Sequence, residues 1–196
     1  LVLDEKPFAK GAFSHVYHAT LDGAPVAVKV FKVDEVPIDQ LRDMVAREAD
    51  LIKRCAHANI VQSYGICADI RDDEDPFVAI VTELYPEGNL AAYLKQRAGS
   101  PLSGAEAARL LEGVACGLAH LHANGIVHKD LKPDNVVLRK DDSGQMHAVL
   151  TDFGLSVDLA HSSRRSNANG GTIPYMAPEQ LKPQQTDGVV RRLTSK

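Results

Sequence analysis

An eight-residue polar segment is the most constraining feature of this chain of 196 residues. The segment, 128–135, has the sequence His-Lys-Asp-Leu-Lys-Pro-Asp-Asn and lies between two apolar runs, 125–127 and 136–138. Asp152-Phe153-Gly154 follows shortly afterwards. No common structural need calls for such a density of charge between apolar segments. We therefore interpret the two motifs as one chemical site that contains a candidate base, two candidate metal ligands and a lysine.

Composition and charge narrow the class of protein. The hydrophobic fraction is 44% and the charged fraction 24%, which is ordinary for a soluble globular domain. The length allows one domain, with room for two lobes. A formal net charge of −4 argues against nucleic acid or an anionic membrane as the main partner. No apolar run approaches the ~20 residues of a membrane span. We expect a cytoplasmic chain, with any membrane segment of the parent protein lying outside it.

Cysteine and histidine positions do not favour a metal site. The cysteines are Cys55, Cys67 and Cys116. They lie in apolar surroundings without metal-ligand spacing, so we expect free, buried thiols in a reducing compartment. His120, His122 and His128 are close in sequence, but residues two apart point to different faces of a helix. No acidic ligand accompanies them, so a zinc site is not predicted.

The first half of the chain is predicted to contain short strands and one helix. The predicted strands are 14–20, 25–32, 60–68 and 77–82, and the predicted helix is 38–55. A turn at 21–24 suggests a hairpin between the first two strands. The apolar positions of the helix, which recur at three- and four-residue steps, are Leu41, Met44, Val45, Ala49 and Ile52. The acidic stretch 69–75 is predicted to be a solvated loop.

The second half is predicted to be mainly helical. Asn89 caps a short helix over 89–98, and Ser103 caps a longer one that ends near residue 123, with Glu106 placed for a capping box. The stripe that needs an apolar partner is Ala107, Leu110, Leu111, Val114, Leu118 and Leu121. Strands are predicted at 136–138 and 148–150, with loop after Asp152. The predicted fold class is α+β, with a β-rich small lobe followed by a mainly helical lobe.

The motifs of the second half resemble the catalytic signature of protein kinases. The chain as a whole resembles a eukaryotic protein kinase domain of serine/threonine type. The resemblance implies that Asp130 accepts or orients the substrate hydroxyl and that Lys132 neutralises the γ-phosphate of ATP. It also implies that Asn135 and Asp152 bind Mg²⁺. Leu131-Lys132-Pro133 favours serine or threonine over tyrosine as the acceptor.

Upstream segments match the phosphate-binding parts of the same family. In 9–17, which corresponds to the glycine-rich turn, only Gly11 is present, because Ala9 and Ser14 occupy the other two glycine positions. An ordinary hairpin explains this segment about as well. Lys29 ends an alternating strand and could equally be a solvated edge charge. The resemblance instead implies that Lys29 holds the α- and β-phosphates and that Glu48 orients Lys29.

The adenine site is implied by the resemblance alone. Thr82 would border the pocket behind the ring, and backbone groups of Glu83 and Tyr85 would bind adenine. The residues implied to sandwich the ring are Val16, Ala27 and Val137. Each of these three is also an ordinary core residue, so a purely structural role stays open.

Several positions depart from the family pattern or bear on regulation. Lys129 replaces the usual arginine and offers a point charge instead of a bidentate grip. The candidate phosphorylation sites are Ser162, Ser163 and Ser166, beside Arg164 and Arg165. Ser63 stands where the family places an apolar residue, and a polar group there could loosen the helix that carries Glu48. Thr172 is expected to hydrogen-bond near Asp130 and Lys132.

The pattern from Gly171 to Glu179, together with the region of Thr82, is closest to the tyrosine-kinase-like group of serine/threonine kinases. It closes an activation segment that spans 152–179. We expect 1–83 to be an N-lobe and 84–196 an incomplete C-lobe. We also expect the chain to be a fragment of a longer product, poorly stable alone.

The function that these motifs favour is an ATP- and Mg²⁺-dependent protein serine/threonine kinase, with a protein substrate. Three alternatives stay open. One is a pseudokinase or scaffold module, one is a phosphotransferase for a small molecule, and one is an inactive fragment of a longer kinase. The natural substrate and the oligomeric state are not predicted.

Overall fold

The computed structural model describes residues 1–11, 14–31, 38–69, 77–97, 99–158 and 171–178. In this part of the chain, the first half is an antiparallel sheet with one helix. Its elements are β1 (Val2–Leu3), β2 (Ala9–Lys10), β3 (Ser14–Leu21), β4 (Ala24–Phe31), α1 (Ile38–Arg54), β5 (Ser63–Asp69) and β6 (Phe77–Glu83). The hydrogen-bonded order is β1-β3-β4-β6-β5, and β2 also pairs with β3. The predicted β-rich first half is confirmed.

The hairpin of β3 and β4 follows from its two-residue turn. Asp22 and Gly23 both have positive φ, 52° and 86°. Positive φ at both central residues is the requirement of a type I′ turn, whose twist matches that of the two flanking strands. Leu21 therefore pairs with Ala24, and the register runs without interruption to Ser14 opposite Phe31.

Helix α1 packs against β5 and β6 through its apolar stripe. The buried members of the predicted stripe are Leu41, Val45, Ala49 and Ile52. Met44 is 44% exposed, so its predicted place on the buried face is wrong. The buried positions Leu41, Val45, Glu48 and Ile52 centre on one line along the helix, and Met44 lies at the edge of that face.

The second half contains one short helix, one long helix and two small sheets. Its elements are α2 (Leu90–Gln96), α3 (Gly104–Ala123), β7 (Ile126–Val127), β8 (Val136–Lys140), β9 (Met146–Leu150), β10 (Val157–Asp158) and 3₁₀ turns at Pro133–Asn135 and Ile173–Tyr175. β8 pairs with β9, and β10 pairs with β7. The predicted helices are confirmed, whereas β7 and β10 are too short to give a pattern.

Side-chain caps start both helices. The Asn89 side chain accepts a bond from the Ala92 amide at 2.8 Å, as predicted. Ser103 Oγ accepts from the Glu106 amide at 3.2 Å. The Glu106 carboxylate does not complete the predicted capping box, because it bonds instead to the Tyr93 hydroxyl at 2.6 Å. This bond ties α3 to α2.

The predicted apolar stripe of α3 is only partly buried. Leu110 and Leu121 lie in the core, where α3 packs against β9, but Leu111 is 68% exposed. The reason is that α3 turns Gly113 and Gly117 towards Asn59 and β9. Gly113 and Gly117 share this face with Leu110 and Leu121, whereas Leu111 lies about 100° further round the helix and is therefore outside it.

Other predictions need correction or lie outside the described residues. The strand predicted from residue 60 begins at Ser63, and Ile60 makes only an isolated bridge to Leu150. The three cysteines are free; Cys55 is buried, but Cys116 is exposed, contrary to expectation. No helix in the described ranges is long and apolar enough to cross a membrane. The predicted features outside those ranges are 12–13, the acidic loop over 70–75, Ser162, Ser163, Arg164, Arg165, Ser166 and Glu179.

Candidate functional site

Strand register gathers four of the predicted residues on one face of the sheet. Val16 pairs with Lys29, and Ala27 pairs with Thr82. Directly paired residues share a face, as do residues two apart in one strand. Val16, Ala27, Lys29 and Thr82 therefore lie on the same face. Ser63 pairs with Thr82 and joins them there.

Lys29 is the centre of an ion triad at this face. Its Nζ lies 2.8 Å from Glu48 Oε1 and 2.7 Å from Asp152 Oδ1. Glu48 is 5% exposed and comes from α1, whereas Asp152 comes from the segment after β9. The Lys29 ammonium group thus contacts carboxylates from both halves of the chain. This excludes the alternative that Lys29 is a solvated charge at the sheet edge.

Burial and the nearby opposite charges together set the pKa values of the three residues in this triad. Burial alone would lower the pKa of Lys29, but the Glu48 and Asp152 carboxylates outweigh burial and hold that pKa above its ordinary value. Burial raises the pKa of Glu48, and the nearby ammonium of Lys29 opposes this rise. For Asp152, burial also opposes ionisation, but Lys29 keeps its pKa below the ordinary value. Lys29 and Asp152 are therefore charged at neutral pH.

The Asp130 carboxylate is held by four hydrogen bonds. Its Oδ2 accepts from Lys132 Nζ at 2.8 Å and from Asn135 Nδ2 at 3.0 Å. Its Oδ1 accepts from the Thr172 amide at 2.8 Å and from the Thr172 hydroxyl at 2.9 Å. Lys132 also donates to Thr172 Oγ1 at 2.7 Å. The expectation for Thr172 is confirmed, although it lies 42 residues from Asp130.

These bonds fix the protonation state of Asp130. Asp130 is 7% exposed, and burial alone would raise the pKa of its carboxyl group. The hydrogen bonds from Lys132, Thr172 and Asn135 outweigh burial and hold this pKa below its ordinary value. Asp130 is therefore an ionised carboxylate at neutral pH, with a fixed orientation.

His128 supports the backbone around Asp130. Its ring is 2% exposed, and burial lowers its pKa, so the imidazole is neutral. Nε2 lies 3.0 Å from the Thr151 carbonyl and donates to it, which leaves Nδ1 to face the Asp130 amide at 3.4 Å. The ring also lies 5.3 Å from that of Phe153. His128 thus joins the segment of Asp130 to the segment of Asp152.

Two residues of the site have left-handed backbone geometry. Lys129 has φ of 66° and Asp152 has φ of 64°. Positive φ is uncommon and strained in residues other than glycine, and it persists only where the surrounding structure imposes it. Here it occurs in both of the polar motifs.

Of the residues predicted to line the adenine site, Thr82 and Glu83 lie in β6, and Tyr85 lies just beyond its end. The Glu83 amide donates to the Gln62 carbonyl at 2.9 Å. The Tyr85 hydroxyl donates to Glu83 Oε2 at 2.8 Å, and burial together with this carboxylate raises the pKa of Tyr85. Val137 is half-buried in β8, which is joined to this segment by a bond from the Leu138 amide to the Gly88 carbonyl.

Gly11 lies at the opposite end of the sheet face, in an exposed turn. Its amide donates to the Ser14 carbonyl at 2.7 Å, which closes the turn between β2 and β3. The pairing of β2 with β3 is therefore present, and Ser14 is buried at a position where the family has a glycine.

Asn135 and Asp152 fit a hard divalent cation. Asn135 donates through Nδ2 to Asp130, so its amide oxygen is the atom left for a ligand. Asp152 is 44% exposed and ionised. Mg²⁺ is usually held by one or two such oxygens together with substrate phosphates. Within the described ranges, no group of three or more His, Cys, Asp or Glu residues could hold a metal. Asn135 and Asp152 supply two oxygen ligands, and the other positions of such a cation are usually filled by substrate phosphates and water.

Two contacts near the site were not predictable from pattern. One is the Tyr85 bond to Glu83, and the other is an ion pair between Arg54 and Asp158. None of these residue types is unusual at its position. Arg54 and Asp158 are also 104 residues apart, and a single sequence gives no sign of so distant a contact.

Comparison with known proteins agrees with this geometry. The family described as "Protein kinase domain" matches residues 4–190. The chain is 33% identical over 178 residues to serine/threonine/tyrosine-protein kinase HT1 of Arabidopsis thaliana. The matched region is 89% of this chain and 43% of the relative. It is 35% identical over 201 residues to serine/threonine-protein kinase PkaA of Streptomyces coelicolor, and the matched region is 94% of this chain and 35% of the relative.

A third relative is serine/threonine-protein kinase PLK4 of Drosophila persimilis, 31% identical over 172 residues that cover 87% of this chain and 21% of the relative. The chain thus spans less than half the length of these curated relatives.

Proposed function

Because the chain belongs to the protein kinase domain family, we propose that it is the catalytic part of an ATP-dependent protein serine/threonine kinase. The observation that carries the proposal is the pair of networks at one site. Lys29 joins Glu48 to Asp152, while the Asp130 carboxylate is held by Lys132, Asn135 and Thr172. Such fixed charges suit a reaction that depends on positioning and electrostatic stabilisation.

Asp130 is proposed to accept the proton of the substrate hydroxyl. Its carboxylate is ionised and held in place, so it can orient the hydroxyl and take its proton as the oxygen attacks the γ-phosphorus, while the bond to the β,γ-bridging oxygen breaks and ADP leaves. Lys132, bonded to the same carboxylate at 2.8 Å, is proposed to neutralise the transferred phosphoryl group. Their shared bonds to Thr172 hold the proposed base and this cation in one fixed arrangement.

Lys29 is proposed to bind the α- and β-phosphates of ATP, and Glu48 to orient it. Asp152 and Asn135 would hold Mg²⁺, which supplies charge neutralisation for the phosphates when bound. The adenine ring is proposed to lie against Val16, Ala27 and Val137. The assignments of Val16 and Ala27 are supported by the strand register, which places both residues on the sheet face that carries Lys29.

The remaining adenine and phosphate contacts belong to the same proposal. The backbone of Glu83 and Tyr85 would bind the ring edge, with Thr82 behind it. Gly11 would cover the phosphates. Lys132 within the catalytic segment favours serine and threonine acceptors, so the proposed substrate is a protein hydroxyl of these residues.

Metal-dependent nucleotide binding is the first test of this proposal. ATP with Mg²⁺ at 100 times its dissociation constant is expected to stabilise the folded chain by ~2.7 kcal/mol. Asp152→Asn is expected to remove most of the metal-dependent part, because it loses a charged ligand. Thermal melts with ATP and EDTA, or with ATP and Mg²⁺, measure this directly.

Asp142→Asn is the matched control, because it makes the same chemical change at an exposed residue of the turn between β8 and β9. An equal metal response in wild type and Asp152→Asn would contradict the ligand assignment. Labelled phosphate transferred to a mixed protein substrate by the full-length protein should appear on serine or threonine. Nucleotide binding without transfer would favour the scaffold alternative instead.

A further inference from the structure

An ion pair outside the proposed catalytic residues joins the two halves of the chain. Arg54 is the last residue of α1, and its Nη2 lies 2.6 Å from Oδ2 of Asp158 in β10. The Asp158 side chain is only 12% exposed. The partners are 104 residues apart, so the pair is a tertiary contact and not a local one.

Both ends of this pair belong to elements that lead into the site. α1 carries Glu48, and β10 follows shortly after Asp152. Asp158 lies opposite Ile126 in β7, and β7 runs directly into His128 and the segment of Asp130. Arg54 therefore connects the helix of Glu48 to the backbone around the other polar residues of the site.

We infer that Arg54 is a positioning residue, whose bond to Asp158 holds α1 where Glu48 meets Lys29. The inference rests on the proposed kinase function and adds a residue to it. α1 contacts β5 and β6 through its apolar face, and apolar contacts are non-directional. The bond to Asp158 adds a directional contact at the end of α1.

Exposed ion pairs usually contribute little to the stability of a fold, because water screens their charges. The second contact of Arg54 is of this kind, since Nε lies 3.1 Å from Asp50, whose side chain is 64% exposed. In the contact with Asp158, the Arg54 side chain is again 41% exposed, but the carboxylate is largely withdrawn from water. A guanidinium group also binds a carboxylate with a fixed geometry that a lysine does not reproduce.

The test compares Arg54→Ala with Lys53→Ala in the full-length protein. Lys53 is the exposed neighbour in the same last turn, so both variants lose one positive charge from α1. Arg54→Ala is expected to lower kcat about tenfold with little change in KM for the protein substrate. Lys53→Ala should leave both constants unchanged. Assays run well below the lowest melting midpoint exclude an effect of unfolding.

A double-mutant cycle shows whether Arg54 acts through Glu48. In a Glu48→Gln background, Arg54→Ala should cost less than about twofold, because the contact that it positions is already lost. Exchanging the charges with Arg54→Asp and Asp158→Arg should restore part of the activity lost by either variant alone. Equal activity of Arg54→Ala and Lys53→Ala, or a full tenfold loss in the Glu48→Gln background, overturns the inference.

Amide hydrogen exchange separates this inference from the proposed function. In Arg54→Ala, but not in Lys53→Ala, exchange should rise together in α1 and in 152–158, because the bond that joins them is gone. Unchanged exchange in both segments overturns the inference whatever the activity. If wild type transfers no phosphate, the proposed function fails, and the exchange result still decides whether Arg54 couples these segments.

Discussion

Replacing Asp130 with asparagine is expected to lower kcat for phosphate transfer by about 10²- to 10⁴-fold. The amide has nearly the same shape and still offers one oxygen to Lys132 or Thr172, so the local fold should persist. It cannot accept the hydroxyl proton, however, and it removes the negative charge that orients the acceptor. Because Asp130 is not among the proposed nucleotide ligands, the affinity for ATP should change little.

The measurement is phosphate transfer at saturating ATP and protein substrate by the full-length protein, with ATP binding measured in parallel. Asp142→Asn again serves as the control, since the same chemical change at an exposed turn should leave kcat unaffected. Undiminished transfer by Asp130→Asn would remove Asp130 from the proposed mechanism. Lost nucleotide binding would instead show that the variant damages the fold of the site.

The site could be predicted largely because its motifs are short and local. Asp130, Lys132 and Asn135 lie within one turn and its flanks, so their spacing alone brings them together. The contact from Thr172 was also predictable, but only through the resemblance to a family. The pairing of Lys29 with Glu48 was likewise predicted only through the resemblance, because strand alternation alone left Lys29 as a possible edge charge; the structure shows the two side chains bonded.

Contacts between distant elements were not predictable in the same way. The Arg54 pair with Asp158 depends on how the end of α1 approaches β10, a strand of two residues without any periodic signal. The exposure of Leu111 likewise depends on which face of α3 packs against β9 and the loop at Asn59. Apolar spacing shows that a helix has a buried side, but glycines decide how closely and at which angle the partner approaches.

Gly117→Ala is expected to destabilise the chain, although alanine favours helices. A Cβ at Gly117 would lie 2.8 Å from the Asn59 carbonyl oxygen and 2.8 Å from Leu150 Cδ1. The first contact is with backbone, which cannot move without its segment. That segment is held by bonds between Leu150 and both Asn59 and Val61, and by stacking of His57 on His120 at 4.8 Å.

The expected cost of this overpacking is about 1–3 kcal/mol in the free energy of unfolding. For a chain of this length, such a loss lowers the melting midpoint by about 2–12 °C. Gly104→Ala is the matched control, because it lies in the same helix and its added Cβ would meet nothing within 4 Å. It should be neutral or raise the midpoint, since alanine has the higher helix propensity.

Melting both variants beside wild type separates helix propensity from packing. If Gly117→Ala were as stable as Gly104→Ala, the loop at Asn59 would have to move away from α3 at little cost. The close approach of α3 to that loop would then contribute nothing to stability. The steric argument predicts the opposite order, with Gly104→Ala at or above wild type and Gly117→Ala clearly below it. This close approach is available only to glycine, and it packs the loop after α1 against the helix that precedes the segment of Asp130.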